Sequence, residues 1–195
     1  IYLPHLIISF SMVGIIVYLN WKGTRISSTF QNIATMLMIV TFLLFIIGGI
    51  ISGNSANMEP LLPAGNISSG IVLAMASILF FMNGFDTIPK TAAEADSSIN
   101  YSDLGKVITG TIVTGSLLYI LIVFSSRFIM PAIQLVKLGE LPLISAFEAA
   151  TGSQILTGII VFGVLMGVIT TFNGFLFSGS RLVTSFATPR RQKPL

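Results

Sequence analysis

Charged side chains and cysteine are what this sequence lacks most. Lysine, arginine, aspartate and glutamate make up 9% of its 195 residues, whereas about 25% is usual in a soluble domain. Hydrophobic residues reach 53% and the mean hydropathy is +0.92, which indicates a polytopic membrane protein. Because cysteine is absent, disulfides and thiolate metal sites are excluded.

Metal, nucleic-acid and hydrolytic chemistry are also poorly supported. His5 is the single histidine, so no histidine cluster is available for a metal, and we expect neither a metal nor a cofactor. The net charge of +3 does not indicate a nucleic-acid partner, because the basic residues lie between apolar spans, where they act as topology signals. An intramembrane aspartyl protease needs two carboxylates sharing a proton, and Asp86 alone lies deep in a predicted span. We therefore expect no enzyme activity.

Apolar segments long enough to cross a bilayer, about 20 residues each, are predicted at 3–19, 30–52, 69–95 with a break near 82–87, 104–130 and 155–178. Residues 1–188 are thus predicted to form an all-α, polytopic transmembrane helical bundle, followed by a basic cytoplasmic tail at 189–195. The segment 141–150 is too short to span and predicts a re-entrant or surface helix. Both ends of the sequence resemble cuts within a longer polypeptide.

The distribution of basic residues predicts the orientation of the bundle. Positive residues concentrate in cytoplasmic loops, and five spans place the two ends on opposite sides. The sequence therefore predicts an outside N-terminus and a cytoplasmic C-terminus. Arg127 and Lys137 lie on the predicted outer side, and the inner side carries Lys22, Arg25, Lys90, Lys106, Arg181, Arg190, Arg191 and Lys193.

Small residues in the last span predict close helix packing. Gly163 and Gly167 are four positions apart and therefore share one helix face. This spacing lets a second membrane helix approach closely. Packing between two helices is a sufficient explanation for the motif, and it predicts no function.

The third span contains an interruption where a membrane helix should still be in lipid. Asn83, Gly84, Asp86 and Pro89 fall within seven positions. Irregular backbone at that depth is tolerated where it is buried in protein or lines a cavity, and such broken helices build substrate sites in secondary transporters. The two helix ends would offer carbonyls to an ammonium and N–H groups to a carboxylate. Alternatively, the helix ends near Phe85 and the residues after it form a cytoplasmic cap.

Several residues around the interruption are candidates for binding. Phe80, Phe81 and Phe85 could form an apolar wall around a substrate side chain, although aromatic residues also face lipid. Asp86, an acid at depth, could be a proton-linked gate or an ordinary helix cap at the interface.

Polar residues inside the other spans are candidates for binding as well. Asn173 must find a partner, either at a cavity or on a neighbouring helix. The hydroxyls of Thr170 and Thr171 could contribute to a sodium site. Gln31 and Asn32 are expected to cap the start of the second span.

Three motifs resemble the amino acid–polyamine–organocation (APC) permease superfamily. The segment 20–25, followed by 30–32, is similar to the loop between that family's fourth and fifth helices. Residues 80–86, with 92–95 after them, resemble its broken sixth helix, and 173–181 resemble the end of its eighth. The resemblance covers nearly the whole chain except 188–195.

The resemblance implies that the chain is the central portion, helices four to eight, of a five-plus-five inverted-repeat (LeuT-like) transporter fold. The family's first broken helix, which would supply the other half of the site, is not in this sequence. Asp86 matches a carboxylate near the inner gate, and Thr170 and Asn173 would face the site. The positions that would contact substrate by analogy are Phe80, Phe81, Asn83 and Gly84.

The function expected from these features is transmembrane transport of amino acids or related amines by alternating access, in the cytoplasmic membrane of a cell. A proton or sodium could be the coupling ion. A non-transporting membrane subunit or scaffold is the alternative.

Overall fold

The chain is mostly helical in the part that the computed structural model describes, residues 3–60, 67–81, 84, 87–88, 101–139 and 141–187. No strand occurs in these ranges, which confirms the all-α prediction. A short 3-10 helix, Ser55–Met58, follows the second α-helix. The α-helices are α1 (Leu3–Trp21), α2 (Thr24–Ser52), α3 (Ile67–Phe81), α4 (Tyr101–Ile129), α5 (Ala132–Lys137), α6 (Pro142–Thr151) and α7 (Gln154–Ala187).

Four of the described helices, α1, α2, α4 and α7, are long and apolar enough to cross a membrane. In α3 the apolar stretch is shorter, Ile67–Ile78. The third predicted span extends beyond α3 to residue 95. Most of this extension lies outside the described residues, so the count of five spans stays a prediction. The length and hydropathy of the four helices define a multi-pass membrane protein.

The second helix begins earlier than its apolar pattern indicates. α2 starts at Thr24 rather than at residue 30, because its polar first turns are satisfied internally. The Ser28 hydroxyl, for example, donates to the Arg25 carbonyl at 3.1 Å. The expectation that Gln31 and Asn32 cap this helix is wrong, since both lie about 10 Å along the axis from its start, at about 1.5 Å per residue.

Close packing of α7 on α2 is the most extensive helix–helix contact described. A Cβ atom at Gly163 would overlap the side chain of Thr41, and one at Gly167 would lie 3.2 Å from the sulfur of Met38. The predicted small-residue face of the last span is therefore confirmed, and its partner is α2. Apolar side chains gain little by leaving lipid for one another, so such close van der Waals contact is what holds membrane helices together.

The apolar core lies where α2, α4, α6 and α7 meet. Phe147 of the short helix α6 is 1% exposed, and its ring stacks on Phe45 of α2 with centroids 5.2 Å apart. Ile129 and Ile160 complete the contact from α4 and α7. A Cβ at Gly48 would lie 2.9 Å from the Phe147 ring, so this glycine makes room for the aromatic side chain. The core fixes α2 and α7 at the end of the bundle away from α1's last turn.

Gly163→Ala is expected to destabilise the bundle, because the new methyl group overlaps Thr41 and forces α2 and α7 apart. Overpacking of this kind costs about 1–3 kcal/mol. The measurement is the apparent melting temperature of the detergent-solubilised protein. Gly158→Ala is the matched control, since a Cβ there meets nothing within 4 Å. Equal melting temperatures for the two variants would contradict the packing assigned to Gly163.

Candidate functional site

A network of uncharged side chains joins α1, α2 and α7. Asn173 of α7 is 3% exposed, and its Oδ1 accepts from Asn20 Nδ2 at 2.7 Å and from the Ser27 hydroxyl at 3.2 Å. Its Nδ2 donates to Gln31 Oε1 at 2.8 Å. Gln31 Nε2 in turn donates to the backbone carbonyl of Thr170 at 3.2 Å. We call Asn20, Ser27, Gln31 and Asn173 the amide network.

The amide network lies close to one end of the bundle. Asn20 is in the last turn of α1, and Gln31 is about 10 Å along α2 from its first residue, at about 1.5 Å per residue. The short turn between the two helices carries Lys22. The network therefore holds three helices together near the end that the basic residues predict to be cytoplasmic.

Two neighbouring cavities open beside the amide network, between α2, α7, Gly84 and Thr87. The smaller, of ≈ 210 Å³, is lined by Ser27, Ser28, Gln31, Thr87, Asn173, Gly174 and Phe177. The larger, of ≈ 260 Å³, is lined by Gln31, Thr35, Met38, Gly84, Thr87, Thr170, Thr171, Gly174 and Phe175. Both linings are uncharged among the described residues, so neutral hydrogen bonds and apolar contacts are what they offer to a ligand.

Two residues that follow α3 in the sequence, Gly84 and Thr87, add to the lining of the larger cavity. α3 ends at Phe81, and Gly84 has a φ of 121°, which L-residues with a side chain rarely adopt. The Thr87 N–H and hydroxyl both donate to the Gly84 carbonyl, at 3.0 and 2.7 Å. This compact turn brings Gly84 and Thr87 to the larger cavity.

Two threonines line the larger cavity, and their hydroxyl oxygens are available there only as acceptors. Thr170 Oγ1 and Thr171 Oγ1 donate to the same carbonyl, that of Gly167, at 3.0 and 2.9 Å. Each hydroxyl has a single hydrogen, which this bond uses. Toward the cavity the two oxygens can therefore accept a hydrogen bond or bind a cation, but they have no hydrogen left to donate.

The structure brings four of the sequence-predicted site residues to these cavities. Gly84, Thr170 and Thr171 line the larger one, and Asn173 lines the smaller. Phe80 and Phe81 lie in the last turn of α3, and their side chains are outside the description. The predicted site residues that lie outside the described residues altogether are Asn83, Phe85 and Asp86.

Sequence reasoning missed the residues that hold the site together. The sequence pattern gives no role to Asn20 and Ser27, and it predicts a helix cap at Gln31. The available signal was that a polar side chain well inside a membrane helix must find a partner. For Gln31 that signal was hidden, because the polar residues before it made the helix look as if it began later.

Open cavities with a partly polar lining, between long apolar helices, are the kind of feature in which membrane proteins bind small molecules. A family model described as "Amino acid permease" matches residues 2–190. The chain therefore belongs to the amino acid permease family, which confirms the resemblance to APC permeases.

Curated relatives are similar at low identity. A "Methylthioribose transporter" of Bacillus subtilis (strain 168) is 28% identical over 169 residues, which is 87% of this chain and 35% of the relative. The "Branched-chain amino acid permease BcaP" of the same organism is 27% identical over 175 residues, 90% of this chain and 36% of the relative. The chain thus spans about a third of the length of these relatives. No solved structure was found to match it.

Asn173→Leu is expected to lower the melting temperature, because it removes the bonds from Asn20, from Ser27 and to Gln31 while keeping a similar side-chain shape. Hydrogen bonds between membrane helices contribute about 0.6 kcal/mol each on average, so the loss should be on the order of 1–2 kcal/mol. Asn32→Leu makes the same exchange at an exposed position of α2 and should leave the melting temperature unchanged. A variant at Asn173 as stable as the Asn32 variant would contradict the network.

Proposed function

We propose that this chain is part of a secondary transporter that moves amino acids or related amines across the membrane by alternating access. The larger cavity carries the proposal, because the turn at Gly84 and the acceptor hydroxyls of Thr170 and Thr171 line the same space. Such a cavity, beside a helix interrupted within an apolar bundle, is typical of secondary transporters. Membership of the amino acid permease family supports the same function.

The chemistry of the larger cavity favours a substrate with an ammonium group. An ammonium only donates hydrogen bonds, and Thr170 and Thr171 offer oxygens that only accept. The same oxygens could instead hold a coupling sodium ion, since hard cations prefer oxygen ligands.

Each candidate residue has a role in this proposal. Asp86 acts as a gate that exchanges a proton, and Thr170 and Thr171 bind the ammonium or a coupling cation. Asn173 offers its remaining Nδ2 hydrogen, since its oxygen already accepts from Asn20 and Ser27. The residues that contact substrate are Phe80, Phe81, Asn83, Gly84, Phe85 and Asn173.

The names of the relatives define the first substrates to test. Uptake by the full-length protein should be measured in proteoliposomes with labelled branched-chain amino acids and with methylthioribose. Replacing external sodium by choline, and separately collapsing a proton gradient, identifies the coupling ion. Uptake of none of these compounds under any gradient would favour a non-transporting membrane subunit or scaffold.

Gly84→Ala is expected to reduce uptake by about five-fold or more, because non-glycine residues in unusual backbone regions cost about 1–3 kcal/mol. A Cβ at Gly84 meets nothing within 4 Å, so the backbone φ of 121° is the property that the variant tests. Initial uptake rates should be normalised to the amount of folded protein. Gly70→Ala, in open space on α3, is the control. Full uptake by Gly84→Ala would indicate that the interruption is only a helix end.

We also propose that the turn after α1 is cytoplasmic and that α5 is outside, following the basic residues. The chain has no cysteine, so single cysteines can report the orientation once any cysteine elsewhere in the full protein is replaced. In intact cells an impermeant maleimide should label Lys137→Cys, and it should label Lys22→Cys only after permeabilisation. Both positions are exposed. The reverse pattern would overturn this orientation.

A further inference from the structure

Gln31 is the one side chain of the amide network that lines both cavities. The two cavities are stacked along the helices. On α2 the smaller cavity uses Ser27 and Ser28, before Gln31, and the larger uses Thr35 and Met38, after it. A molecule moving from one cavity to the other would therefore pass the Gln31 amide.

A similar but overlapping order is found on the facing helix α7. Thr170 and Thr171 line the larger cavity and Phe177 lines the smaller, while Asn173 of the smaller cavity and Phe175 of the larger lie where the two linings overlap. Gly174 lies between them and contributes to both. Because Gly174 has no side chain, the boundary between the two cavities at this level is formed mainly by Gln31, with Thr87 beside it.

The Gln31 amide is held in a fixed orientation with hydrogen-bonding capacity to spare. Its Oε1 accepts from Asn173 at 2.8 Å, and its Nε2 donates to the Thr170 carbonyl at 3.2 Å. A primary amide has two donor hydrogens and two acceptor lone pairs. Within the described part of the chain, one of each therefore remains, beside the cavities.

We propose that Gln31 is a specificity-determining residue that binds the polar group of the transported substrate at the boundary between the two cavities. Its spare oxygen lone pair accepts from a substrate ammonium, and its spare N–H donates to a carboxylate or hydroxyl oxygen. Asn173 and the Thr170 carbonyl act as positioning groups, because they hold the amide plane before substrate arrives. This inference rests on the transport function proposed above.

Gln31→Met tests the proposal, because it keeps the side-chain length while removing the amide. In the full-length protein in proteoliposomes, KM for a transported amino acid should rise by about five-fold or more, the effect of losing one or two neutral hydrogen bonds. The preference for that amino acid over its N-methyl derivative should fall as well. If Gln31→Met is not recovered folded, Gln31→Leu also removes the amide and should raise KM in the same way.

Phe147→Leu is the stability control. It shrinks the apolar core at the other end of the bundle, and Phe147 lines neither of the two cavities. We expect it to lower the melting temperature while leaving KM and the preference for the unmethylated amino acid within about two-fold of the parent protein, because distant sites act nearly independently.

The outcomes separate this inference from the function on which it rests. If the parent protein takes up no compound of the panel, the transport proposal fails, and the role of Gln31 fails with it. If the parent transports but Gln31→Met leaves KM and discrimination unchanged, as Phe147→Leu does, Gln31 is purely structural and this inference alone is overturned. A raised KM with loss of discrimination, at Gln31 and not at Phe147, supports it.

Discussion

The close approach of α2 and α7 is the constraint on which the rest of the structure depends. Lipid removes most of the hydrophobic gain from bringing helices together, so contact must come from small residues that let backbones meet. Gly163 against Thr41 and Gly167 against Met38 supply it. With one more side-chain layer between these helices, the 2.8 Å bond from Asn173 to Gln31 could not form, and the adjoining cavities would lose their shape.

At the end of the bundle near the last turn of α1, uncharged polar side chains hold the helices together. Asn20, Gln31 and Asn173 are amides, so the network that they form with Ser27 contains donors and acceptors without a net charge. Charges at membrane depth are costly, whereas a satisfied amide network can hold helices together without that cost. On one side the cavities are therefore lined by α2 and α7, which the network joins by hydrogen bonds, and on the other side by the turn at Gly84.

Much of this arrangement could be predicted from composition and spacing. The apolar spans, the small-residue face at Gly163 and Gly167, and the interruption containing Gly84 are all local patterns, and the helices at α2, α4 and α7 follow from them. The apolar pattern predicts a start of the second helix at residue 30, which is too late. The residues before it are polar, but the side chain of Ser28, for example, donates to a backbone carbonyl of the same helix. As a result, the sequence predicts Gln31 at a helix end, whereas it lies about two turns inside α2.

The sequence by itself determined the class of protein, the approximate spans and the residue types available for a site, because these depend on hydropathy and on periodicity along one chain. Only the tertiary structure decided the partners. Gln31 and Asn173 are 142 positions apart, and no local pattern specifies that two amides so distant will share a hydrogen bond. Their pairing depends on which helix faces meet and at what height, which is set by three-dimensional packing.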